Sequence, residues 1–419
     1  MLQELTLDYP HKKTARIAVS ALFFLTGLCF ASWASRIPAI QQKLHMSEGE
    51  LGGMLLALPI GSMISMPVAG WLVGKFGSRQ VLMVAGLLYG GVLPTLGLVE
   101  HSWQLFGCLM LFGFCGNMAN IAVNTQAVLV EAMYGRSIMA SFHGLWSLAG
   151  FTGAAIGTGM AAGGIVPYQH FLIIMVIAII IVGVSIRSVV RHDVKIEEDI
   201  LAKTDRSIDA KLARLIRRVM LLKIKRVRQY LVHLVKRKWS VLKVIVILGI
   251  IAFCSMICEG TMFDWSGVYF KKVIHSPEGI AGIGYTAFMS TMAAFRFIAD
   301  ALTTRFGVKR MLQLSGGLTA AGLIIAVALP YFPTAIFGFL LVGAGVSSVV
   351  PLVYSTAGRS KTFSPGMALA AVSTIGYLGF LLGPPLIGFV AQATSLRISF
   401  SIIAVMGMCI ALMSGKLKN

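Results

Sequence analysis

Glu259 is the residue in this chain best placed for chemistry. It is a lone carboxylate between Cys258 and Gly260, about two-thirds of the way along an apolar stretch. An ionisable side chain inside a membrane span is costly and usually functional. A carboxylate whose cationic neighbour comes and goes can load and unload a proton; the plainer alternative is a static partner for Arg36. Asp264 and Trp265 follow on the same stretch. At 3.6 residues per turn, five residues rotate Asp264 about 140° from Glu259. Asp264 therefore reads as a gate or interface residue rather than a second coupling group.

Thr26, Cys29, Trp33 and Arg36 recur at helical spacing and share a face. Arg36 suits an ion pair with Glu259 or Asp264 in one state of a transport cycle, or an anchor for an anionic substrate group. Snorkelling to the interface is the other reading. Asn117, Asn120, Asn124 and Glu131 form a polar stripe at i, i+3, i+7 and i+14. Asparagine bonds sugar hydroxyls without carrying charge, and it also bonds helix to helix. Asn120 and Asn124 are expected to line a cavity, whereas Glu131 needs only Arg136 as a partner. His143, Trp146 and Ser147 share a side; the histidine suits a proton relay or a satisfied interfacial position. Tyr354, with Ser347 and Pro351, and Tyr377, with Thr374, suit ligand contact or packing. Arg296 and Asp300 stand i, i+4 and can pair with each other as an inner-face gate.

These residues must be held by helices. The chain has 419 residues, 57% hydrophobic and 12% charged, where soluble domains carry about a quarter charged. A span needs roughly 20 apolar residues. Twelve windows qualify, at 15–37, 49–73, 80–99, 103–131, 138–162, 167–187, 241–270, 279–303, 310–330, 333–357, 366–392 and 395–414. The expected class is an all-α polytopic membrane protein with twelve transmembrane helices in two six-helix halves. Residues 1–187 and 241–419 form the halves, and 188–240 form a basic linker. The first span is read as retained rather than as a cleaved signal, because its apolar core is long. Gly383-Pro384-Pro385 is expected to break span 11, and Gly150, Gly153, Ala154 and Gly157 to favour close helix packing.

The formal charge of +20 points to membrane orientation rather than nucleic acid. Sixteen of the 36 Lys and Arg lie between Arg187 and Lys238. Lys12, Lys13, Arg16, Lys75, Arg79, Arg136, Lys416 and Lys418 fall on the same expected side. The positive-inside rule places that side, and both termini, in the cytoplasm. Within the linker, Ile208, Leu212, Leu215, Ile216, Val219 and Leu222 recur at helical spacing among basic residues. This predicts an amphipathic helix on anionic lipid of the inner leaflet. The six cysteines show no metal-binding spacing. No cofactor, metal or nucleophile–base pair is expected, and so no enzyme.

The halves repeat at an offset of 230 residues. Gly70 to Leu82 falls on Asp300 to Leu312, with Leu72, Phe76, Gly77 and Leu82 meeting Leu302, Phe306, Gly307 and Leu312. Lys75 and Arg79 meet Arg305 and Lys309. His45, Glu48, Gly49 and Gly52 meet His275, Glu278, Gly279 and Gly282. The segment with Gly70, Leu72, Lys75, Gly77 and Arg79 resembles the G-x-L-x-D-R-x-G-R-R loop between spans 2 and 3 of the major facilitator superfamily. It departs at Gly74, where the family has Asp, which puts the usual first-half lock in doubt; the resemblance implies a similar duty for Asp300 in the second half, one turn earlier than usual. Ala31 to Ala39, Asn120 to Glu131, His143-Gly144, Glu259-Gly260, Asp264-Trp265 and Gly376 to Pro385 are similar to bacterial inner-membrane and fucose-permease-like carriers of that superfamily.

The resemblance implies transport by alternating access between two halves, with substrate near the midplane. The expected function is secondary active transport of a small solute across the inner membrane, coupled to protons. The Asn stripe with Trp33, Trp265, Tyr354 and Tyr377 suits a sugar or sugar derivative. The alternative is an efflux antiporter for drugs or lipophilic cations, against which Ala154 stands where such antiporters carry a Gly-Pro break. Expected partners are the solute, protons and membrane lipids, and a monomer is expected.

Overall fold

The computed structural model describes residues 11–135, 138–191, 224–358 and 365–417. Fourteen α-helices account for nearly all of them: α1 (Lys12–Lys43), α2 (Glu48–Leu55), α3 (Ala57–Phe76), α4 (Ser78–Leu98), α5 (Ser102–Tyr134), α6 (Met139–Ala162), α7 (Pro167–Ser185), α8 (Ile224–Lys272), α9 (Ile283–Phe306), α10 (Val308–Ala328), α11 (Phe332–Val346), α12 (Val349–Gly358), α13 (Pro365–Ala393) and α14 (Leu396–Gly415). α2 with α3, and α11 with α12, each make one crossing interrupted at Leu56 or at Ser347–Ser348. The result is twelve crossings in two groups of six. Lipid offers no partner for free backbone groups, so helices are the means of crossing.

Ten segments among the described residues are long and apolar enough to span. α6 and α9 are the two crossings outside that set. Each has 24 residues, about 36 Å at 1.5 Å per residue, so length is not the reason. They carry His143 and Ser147, and Arg296 and Arg305. They also lie against each other between the halves: Thr158 Oγ1 is 3.3 Å from Thr286 Oγ1, and Gly144 sits under the Phe297 ring. Crossings that face protein rather than lipid tolerate polar groups.

α8 begins at Ile224, and its part long and apolar enough to cross a membrane is Lys243–Lys272; the amphipathic stretch 208–222 lies outside the described residues. One expectation changes. Pro384 and Pro385 do not break α13, which continues to Ala393. A proline in a membrane helix costs only local backbone bonds, and neighbouring helices accommodate it. The small-residue run of α6 does pack closely: a Cβ on Gly153 would stand 2.9 Å from Ala31 Cβ.

The 230-residue repeat is written into the backbone. Gly77 (φ 85°, ψ 150°) and Gly307 (φ 79°, ψ 155°) adopt the same conformation, one open only to glycine. His45 and His275 both take positive φ, at 50° and 55°. Successive crossings alternate, so Lys12 and Gly415 mark one end of the bundle, termed proximal, and Lys43 and Lys272 mark the distal end.

At the distal end the halves meet through matching windows. A Cβ on Gly52 would lie 2.8 Å from Pro384 O and 3.0 Å from Gly388 Cα on α13. A Cβ on the equivalent Gly282 would lie 2.4 Å from Thr158 Oγ1 on α6. Each half thus receives its partner's fifth crossing against glycine. Lys272 Nζ pairs with Glu48 Oε1 at 2.6 Å, and Lys271 donates to Gln42.

Candidate functional site

Near the middle of the bundle is a cavity of about 220 Å³. α1 contributes Thr26 and Phe30, α3 Ser62, α4 Tyr89, α5 Asn117 and Asn120, α6 Trp146, and α13 Tyr377 and Phe380. Its walls are aromatic rings punctuated by amides and hydroxyls, and no charged side chain among the described residues lines it. Asn117 Nδ2 donates to Ser62 O at 2.9 Å and Ser65 Oγ at 2.8 Å, which turns its carbonyl oxygen free. Asn124 does not line the cavity. Its Nδ2 donates to Asn120 O at 2.8 Å and Asn120 Oδ1 at 2.9 Å, leaving the Asn120 amide hydrogens available. Tyr377 Oη donates across the halves to Pro59 O at 3.1 Å.

Beside the cavity lies an ion pair. Arg296 Nη2 on α9 stands 3.3 Å from Glu259 Oε1 on α8, with side-chain exposures of 16% and 13%. The guanidinium also reaches the other half: Arg296 Nη1 donates to Ser147 Oγ at 2.5 Å and lies 5.8 Å from the Trp146 ring centroid. Trp146 is therefore shared between the cavity and the charge. Glu259 takes its charge partner from Arg296, not from Arg36. Arg296 correspondingly turns into the bundle rather than simply along its own helix; the side chain of Asp300 lies outside the described residues. His143 stands edge-on to Phe23, 5.4 Å between centroids, and is exposed to the interior.

Other expected site residues lie elsewhere. Arg36 is 2% exposed and donates from Nε to His170 Nδ1 at 3.1 Å, while its Nη2 has no partner. Asp264 is buried distal to the cavity. Trp33 and Trp265 are fully buried and do not line this cavity; their rings pack into the distal seam. Tyr354 packs against an apolar cluster of the second half. Glu131 Oε2 accepts the backbone N–H of Ile138 and Met139, both at 2.8 Å, capping α6; Arg136 lies outside the described residues.

At the repeated proximal turns, Arg79 Nε donates to Ile186 O at 3.0 Å, closing the end of α7. Lys75 lies over Trp71 at 4.8 Å and Arg305 over Phe306 at 5.5 Å. Gly70 has open surroundings, so nothing steric requires glycine there. Ser62, Tyr89 and Phe380 are lining residues that the sequence does not single out. Hydroxyls and rings are too common in apolar helices to stand out without the third dimension.

Known proteins share this fold. The chain is 30% identical over 397 residues to an uncharacterized MFS-type transporter of Yersinia pestis, covering 94% of each. It is 30% identical over 401 residues to an uncharacterized transporter of Sinorhizobium fredii, covering 96% of this chain and 97% of that one. Among solved structures, a mutant of the nucleoside transporter NupG superposes with TM-score 0.71 at 14% identity over 96% of this chain and 99% of that one. A D-xylose-proton symporter superposes with TM-score 0.71 at 15% identity, covering 97% and 98%. The Major Facilitator Superfamily model matches residues 19–284 and 248–417. With two repeated six-helix halves enclosing a midplane cavity, this chain belongs to the Major Facilitator Superfamily and is a secondary transporter.

Proposed function

We propose that this transporter carries a small, uncharged polar solute with a ring face, a sugar or sugar derivative, and couples its movement to protons through Glu259. The observation that carries the reading is the sharing of Trp146 between the cavity and the Arg296–Glu259 pair. A solute that presses on this indole also bears on the guanidinium beside it. Protonating Glu259 removes the charge that holds Arg296 and frees it to rebalance its bond to Ser147 in the other half. Substrate and proton then act on one interface, which is what coupling requires.

The cavity chemistry supports the substrate class. Asn117 and Asn120 offer an acceptor and donors suited to hydroxyls, and Phe30, Tyr89, Trp146 and Phe380 offer ring faces. A lining of neutral groups favours a neutral solute over an ionic one. Drug-sized ligands fill roughly 300–1,000 Å³, so a cavity of about 220 Å³ favours a smaller one. The solved nucleoside and xylose carriers of the same fold are consistent with such cargo.

Orientation follows from charge. Lys12, Lys13, Arg16, Lys75, Arg79, Arg187, Arg305 and Lys309 gather at the proximal end, so that end and both termini face the cytoplasm of a bacterial inner-membrane protein. Asn120 and His143 are exposed on the proximal side of the cavity, while the distal side is buried. The conformation is then inward-facing, and the basic linker meets anionic lipid.

The test is charge movement in proteoliposomes on a solid-supported membrane, screening sugars, amino sugars and nucleosides across a pH gradient. A current for one neutral ring solute is expected. Currents only with lipophilic cations would replace this reading with efflux.

A further inference from the structure

We propose that Phe263 is the gate closing the distal half of the transport path, and that the buried polar groups beyond it are the walls of that half in its shut form. The inference rests on the transport reading but names a residue and a chamber that reading does not use.

Phe263 is 4% exposed and sits at the centre of a ring cluster drawn from both halves. Its centroid lies 5.2 Å from Phe30 and 6.3 Å from Trp146 in the first half. It lies 6.1 Å from Tyr285, 5.8 Å from Phe288 and 6.4 Å from Phe380 in the second. Phe30, Trp146 and Phe380 are also cavity walls, so Phe263 forms the cavity's distal boundary. On α8, Glu259 lies one turn proximal to it and Asp264 is the next residue distal.

Buried side-chain polar atoms in folded proteins are nearly always satisfied. Among the described residues, the unsatisfied ones are not scattered. Ser32 Oγ, Trp33 Nε1, Arg36 Nη2, His170 Nε2, Trp265 Nε1, Ser266 Oγ and Tyr285 Oη all lie distal to the cavity, and only Ser255 Oγ lies on the proximal side. Asp264, buried among them, has no hydrogen-bond or ion-pair partner among the described residues. A core selected for stability alone would fill this region with apolar side chains. Donors, hydroxyls and a carboxylate held without partners are instead what a wet passage leaves when it closes. The glycine windows and the Lys272–Glu48 pair seal its outer mouth, and Phe263 seals its floor.

The gate is tested without knowledge of the solute. Ser266→Cys is introduced alone and with Phe263→Ala, and reacted with a charged, membrane-impermeant methanethiosulfonate in detergent. The Phe263→Ala chain without Ser266→Cys sets the background from the six native cysteines. Labelling at position 266 is expected to be at least tenfold faster when Phe263 is replaced by alanine, and to return to the slow rate with Phe263→Leu. Substrate-free proteoliposomes of Phe263→Ala should also lose an imposed pH gradient faster than the parent, because the chamber joins Glu259 to Asp264. If Phe263→Ala does not fold, Phe380→Ala thins the same cluster from α13. Unchanged labelling and an unchanged leak in a folded variant would overturn the gate even where solute transport is found. A failed solute screen leaves both readouts standing.

Discussion

Two arginines are set inside this bundle, and the protein answers them differently. Arg296 meets a carboxylate, a hydroxyl from the opposite half and an indole face. Among the described residues, Arg36 meets only the acceptor nitrogen of His170, with its Nη2 unpartnered. The first sits beside the cavity at the proximal, exposed side; the second sits in the sealed distal seam. Taking charge out of water is costly unless geometry compensates it. Arg296 is therefore compensated in this conformation and Arg36 is not; we propose that Asp264 becomes the partner of Arg36 once the distal end opens.

The largest effect should come from breaking the compensated charge. Arg296→Met leaves Glu259 buried and unpaired, a change expected to cost about 3–5 kcal/mol. The melting temperature in detergent should fall accordingly. Adding Glu259→Gln should recover most of that stability without recovering proton-driven transport. Arg36→Met removes a cation that has no counter-charge here, so the change should stay near ~1 kcal/mol, the scale of one hydrogen bond. Turnover should nevertheless collapse, since the other state loses its pair. Equal losses of stability in the two methionine variants would dissolve the comparison.

Smaller changes sharpen it. Trp146→Leu removes the shared indole, worth about 0.5–2 kcal/mol as a cation–π contact. It should weaken the solute's KM and its pH dependence together, whereas a purely structural tryptophan would shift neither in concert. Asn120→Ala should raise KM roughly fivefold, about 1 kcal/mol for one hydrogen bond, and leave the pH dependence intact.

The sequence makes much of this legible, for identifiable reasons. Long apolar runs mark crossings whatever their neighbours, and the glycines at 77 and 307 announce a backbone turn only glycine adopts, found at both places. Glu259 stands out because a carboxylate in an apolar helix is rare. Its partner does not: Arg296 lies 37 residues away on another helix, and pairing across helices leaves no periodic trace. Trp33 and Trp265 read as ring platforms because residue type carries no depth; both lie buried in the distal seam, away from the cavity. Phe263 is invisible for the opposite reason. A phenylalanine among 24 gains meaning only when several rings converge on it.

The most direct test of proton coupling at Glu259 separates accumulation from exchange in proteoliposomes carrying Glu259→Gln. Labelled solute is expected to exchange across the membrane at a rate near that of the parent, while accumulation driven by a pH gradient disappears. Full pH-driven accumulation in that variant would contradict the coupling role, because Glu259 would then carry no coupled proton.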